Sequence, residues 1–190
     1  MKKMKSALEI ALEKLKNLDD HAKKEATEME HQKYIQAALS LSSSFLQGKT
    51  GAERIRESLN RYPKESREAA LKAFLMAITK EMDLTNTPDI LEAVLLLKND
   101  TEVQQACNKV KKLHQQQLRQ LKEKMAALQK SAFKFLQKKM RVEGIKGSAL
   151  AGFNIKHLPQ WEEIRSQLQE EYQELLQDFR ATVLETQQPS

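Results

Sequence analysis

Cysteine occurs once in the 190 residues, which excludes an internal disulfide framework and any zinc cluster built on cysteines. Glycine and proline are nearly as scarce, at five and four, so the chain has few obligatory breaks. Aromatic residues make up 5%, leaving few rings on which bases could stack. No run of eighteen apolar residues occurs. Runs such as Ala93 to Leu97 are far too short to cross a bilayer, which predicts no integral membrane association. Met1-Lys2-Lys3-Met4-Lys5 resembles the basic start of a signal peptide. Glu9, Glu13, Lys14 and Lys16 then interrupt the apolar stretch such a signal needs, which predicts a cytoplasmic protein.

What is present is apolar and charged in helical proportions: 40% hydrophobic and 31% charged, enough to pack a core. Ser6 and Glu9 form a capping box ahead of Leu8, Ala11, Leu12 and Leu15, predicting a short helix over 6–17. Asn17-Leu18-Asp19-Asp20 supplies a turn before a second helix that carries Met29, Ile35, Ala38, Leu39 and Leu46 and stops at Gly48. Thr50 and Glu53 make another capping box ahead of Ile55 and Leu59, and Tyr62-Pro63 ends that helix. Leu71, Phe74, Leu75, Ile78 and Met82 mark a fourth helix. Thr87-Pro88-Asp89 opens a fifth that reaches Leu97.

From about 102 to 141 neither glycine nor proline occurs, and Val103, Cys107, Val110, Leu113, Leu118, Leu121, Leu128, Ala132, Phe135 and Leu136 keep a helical stripe. At 1.5 Å per residue such a helix reaches roughly 60 Å, whereas a compact chain of this size is only about 40 Å across. The last helix, Pro159 to about Leu184, repeats apolar residues in alternating steps of three and four from Trp161 to Val183, as a coiled-coil seam does. The expected fold is all-α: an elongated helical bundle with a small body of about five helices over 1–100 and a long antiparallel coiled-coil-like hairpin over 101–186.

The formal charge of +6 is unevenly placed. Residues 103–146 hold twelve basic and two acidic groups, so this segment is +10 and the remainder −4. Two readings compete. An exposed basic arm would bind the phosphates of RNA or the ribosome through Lys111, Lys112, Arg119, Lys122, Lys138, Lys139, Arg141 and Lys146. Alternatively Glu162, Glu163, Glu170, Glu171, Glu174 and Asp178 of the last helix pack against the basic helix and cancel part of its field. The connection 142–158 is a second candidate site. It is long for a compact domain and places Gly144, Gly147, Ser148, Phe153 and Asn154 together.

Catalytic and metal patterns are incomplete. Gly48-Lys49-Thr50 copies the end of a phosphate-binding loop, but Ser43 stands where the first glycine belongs. Glu28-x-x-His31 has the spacing of a di-iron ligand pair without the second pair that architecture needs. Cys107 and His114 lack an orienting third group. No cofactor, no metal and no enzymatic activity are predicted.

Lys5-Ser6-Ala7-Leu8-Glu9-Ile10-Ala11-Leu12-Glu13-Lys14, together with Gly144-Ile145-x-Gly147-Ser148-Ala149 after a long charged helix, resembles a group of uncharacterised helical bacterial proteins. The resemblance implies a bacterial cytoplasmic protein and carries no activity. The functional expectation is a non-catalytic helical interaction or adaptor module that binds a helical protein partner or self-associates, because one final helix leaves apolar stripe uncovered. RNA or ribosome association through the basic helix is the alternative.

Overall fold

A computed structural model describes residues 7–143 and 154–185, and every regular element among them is helical. In order these are α1 (Ala7–Leu46), α2 (Ala52–Asn60), α3 (Lys64–Lys80), α4 (Thr87–Leu97), α5 (Thr101–Glu143), a 3-10 turn (Ile155–His157), α6 (Pro159–Leu175) and α7 (Gln177–Leu184). The chain is all-α, as its periodicity predicts. It divides into two compact units, Met1–Ile78 and Thr79–Ser190. The boundary falls within α3 and not at residue 100, because α4 packs on α5.

In the first unit the expected turn at Asn17 to Asp20 is not made: helix runs unbroken through it, and two predicted helices are one. None of these four residues is glycine or proline. Asn and Asp cost a helix interior well under about 1 kcal/mol each, too little to force a break. Ser6, half of the first capping box, lies outside the described residues. α1 ends as predicted at Gly48, whose φ of +68° suits a residue without Cβ. The Gly48 amide donates to Phe45 O at 2.8 Å and the Lys49 amide to Ser44 O at 2.9 Å, the paired bonds of a Schellman end.

The second capping box does not form. Gly51 and not Thr50 is the N-cap of α2, and Glu53 spends its carboxylate on Arg56 at 2.8 Å. α2 buries Ile55 and Leu59, α3 buries Ala70, Phe74, Leu75 and Ile78, and α1 buries Ala38. Phe45 of α1 meets Phe74 of α3 edge-on, with ring centroids 6.0 Å apart. Met29, expected on the core stripe, is instead 74% exposed.

The second unit is arranged around α5, which packs against α4, the 3-10 turn, α6 and α7. Several long-range bonds hold it. Buried Thr87 bonds the Tyr172 hydroxyl at 2.9 Å. Arg180 Nε donates to the Thr79 carbonyl at 2.9 Å and its Nη2 to Gln173 Oε1, while Gln173 Nε2 donates to Met82 O at 2.6 Å. These two side chains thus donate to carbonyls at and just beyond the end of α3. Burial holds the Arg180 guanidinium below its usual value. Lys98 Nζ likewise caps α7 through the carbonyls of Val183 and Glu185. The predicted single last helix is divided at Leu176, a one-residue interruption that keeps αR geometry and i→i−4 bonding.

Candidate functional site

The most polarised surface among the described residues belongs to α5. Its start is set locally: Asp100 Oδ1 accepts the Val103 amide at 2.8 Å, an N-cap on the charge-favoured end of the helix. With no break over 43 residues it extends about 65 Å. Val103, Cys107, Val110, His114 and Gln117 are buried, alternating in steps of four and three. His114 Nε2 donates to Leu84 O at 2.9 Å, and its ring lies 6.3 Å from that of Tyr172. Beyond Gln117 the stripe continues through Leu121, Met125, Leu128, Ala132, Leu136 and Met140, yet all six are only half-buried. Phe133, Phe135 and Val142 are 42%, 67% and 80% exposed.

Helical geometry sorts the basic residues. In the arc of about 100° opposite the buried stripe that, at 100° per residue, also holds Lys109 and the exposed acidic Glu123, fall Lys112, Arg119, Lys130, Lys134, Lys138 and Arg141. All six are exposed, and none forms an ion pair among the described residues. They make a ridge about 44 Å long by the rise per residue. Four of the eight candidates read from the sequence are therefore on one face. Lys111 and Lys122 are exposed but stand beside the ridge, and Lys139 falls on the line of the apolar stripe. Lys130 and Lys134 were not among those eight, although a 3.6-residue period applied to the charges alone selects them.

The acidic residues of α6 and α7 do not close this face. Glu162, Glu163, Glu170, Glu171, Glu174 and Asp178 are all exposed. At the N-terminal end of α5, Lys109 shares a groove with Glu174 and Asp178. No family model, curated protein or solved structure matches the chain.

Of the loop candidates, Gly144, Gly147, Ser148 and Phe153 lie outside the described residues, as does Lys146. Asn154 is exposed, and its side chain accepts the Lys156 amide at 3.0 Å, which caps the 3-10 turn. His31 of the Glu-x-x-His spacing is hydrogen-bonded through Nδ1 to Ser66 Oγ at 2.8 Å, joining α1 to α3. Among the described residues no three His, Cys, Asp or Glu stand close enough to hold a metal ion. Burial, with a smaller contribution from Asp100, raises the Cys107 thiol to about 11, so it is neutral at physiological pH and a poor nucleophile. No helix among the described residues is long and apolar enough to cross a membrane.

Proposed function

We propose that the protein is a non-catalytic helical binding module, cytoplasmic and bacterial, whose working surface is the outward ridge of α5 and whose ligand is RNA, free or in the ribosome. The observation that carries this reading is the exposure of six unpaired cations along one face of one helix. A row of fixed positive charges releases counterions when it neutralises phosphates, and it does so without base contacts. In this reading α5 and the α6–α7 segment form an antiparallel hairpin. His114 beside Tyr172 and Lys98 on the end of α7 support that direction, and the hairpin holds the ridge outward.

Labelled mixed RNA titrated at low salt tests the reading. The wild-type chain is expected to bind, and a variant with Lys130, Lys134, Lys138 and Arg141 all changed to Glu is expected to lose binding while keeping its helical circular dichroism. Absence of wild-type binding at low salt overturns the proposal.

Self-association is the second reading, favoured by the exposure of Phe135 and Val142, seven residues apart and so on one face. It ranks lower because two copies of the ridge repel each other when brought together. Sedimentation at tens of micromolar decides it: a dimer that Phe135→Ser dissociates supports this reading, and a monomer excludes it.

A further inference from the structure

A cavity of about 500 Å³ opens between α4 and α5, within the second unit and away from the ridge. That volume is within the range of small-molecule sites. Its floor is formed by Thr87, Leu91, Cys107 and His114, all buried, and Leu95 and Leu118 wall it. The polar atoms of this floor are already engaged. The Thr87 hydroxyl bonds Tyr172 and the Asp83 carbonyl, His114 Nε2 bonds Leu84 O, and the Cys107 thiol is uncharged. The interior therefore offers a ligand apolar contact and no charge to neutralise.

The mouth differs. Asn108, Lys111 and Gln115 follow one another at i, i+3 and i+7 along the α5 edge of the opening, exposed and without a hydrogen bond or ion pair among the described residues. Three donors, one of them cationic, thus stand over an apolar floor. Glu92 occupies the α4 edge and opposes a second negative charge. We propose that this cavity is a binding site for an apolar small molecule with a single carboxylate, its hydrocarbon body on Leu91 and Leu95 and its head at Lys111. A dianionic head such as a phosphate monoester is disfavoured by Glu92, and a cationic head by Lys111. The site is independent of RNA binding, since Lys111 is not part of the ridge.

Decanoate below its micellar concentration is the probe, titrated calorimetrically into the full chain with decylammonium as control. Decanoate is expected to bind one per chain, about tenfold tighter than decylammonium, and Lys111→Met to weaken it about fivefold, the scale of an exposed charge contact. Bound decanoate is expected to slow methylthiolation of Cys107 at least fivefold in the unaltered protein, a readout that requires no core variant. Leu91→Trp, which fills the cavity, is expected to abolish both effects. The four-residue charge reversal in the ridge is expected to leave both unchanged. Equal affinity for the two probes, non-saturating uptake, or a Cys107 rate unmoved by decanoate overturns the proposal.

Discussion

Asp83 organises the corner between α3 and α4. Its Oδ1 accepts the Thr85 amide at 2.7 Å, the Thr85 hydroxyl at 2.6 Å and the Asn86 amide at 2.9 Å, while Asn86 Oδ1 accepts the Asp83 amide at 2.8 Å. Partial burial works to raise the Asp83 pKa. The hydrogen bonds from Thr85 and Asn86 and the Arg165 charge outweigh it and hold the carboxyl below its ordinary value of 3.8. A carboxylate whose pKa is lower folded than unfolded stabilises the fold above the unfolded value, and this contribution disappears as pH falls through the folded one. Asp83 is therefore expected to contribute fully at neutral pH and to lose that contribution progressively as pH falls below about 4. Asp83→Ala should cost about 1–2 kcal/mol at pH 7, with the gap from wild type shrinking toward pH 2, as read by thermal circular dichroism. If the gap is the same at both pH values, the carboxylate is not the cause. The Asx-type signal was present in Asp83-Leu84-Thr85-Asn86 and can be read locally. Tyr172, which holds Thr87 four residues after Asp83, lies 85 positions away along the chain and leaves no such trace.

α5 shows at the level of one element what pattern can and cannot say. Its length and stripe were legible because both follow from the absence of breakers and from a period of 3.6. How deeply each stripe position is buried was not, because that depends on where α4, α6 and α7 lie against it. Leu168 of α6 is fully buried, whereas Leu136 on the distal stripe of α5 is half-exposed. Leu168→Ala should cost about 2–5 kcal/mol, and the same change at Leu136 under about 1.5 kcal/mol. Urea midpoints of the two variants measure the contrast, and equal losses would show the distal stripe to be covered. α1 makes the complementary point. Asn17, Asp19 and Asp20 look like a turn by residue type, but helical hydrogen bonding continues through them because nothing there removes a donor or requires positive φ.

For the whole chain, the modest +6 conceals a +10 segment against a −4 remainder, and the outward ridge carries six of the twelve basic residues in that segment. If all six contact phosphates, the logarithm of RNA affinity should fall with the logarithm of salt concentration at a slope of about −4 for single strands and about −5 for duplex. Reversing four of them should bring the slope for any residual single-strand binding to about −1 or shallower. A wild-type slope near zero would mean that binding does not use the ridge. The amino-acid sequence by itself determined the all-α class, the helix end at Gly48, and the location of the charge, since each depends on residues within a turn or two of one another. Only the tertiary structure decided which cations face outward and unpaired, that α4 belongs with the second unit, and that Arg180 and Lys98 close distant helix ends. Those outcomes depend on contacts between residues about a hundred positions apart, where local geometry imposes no constraint.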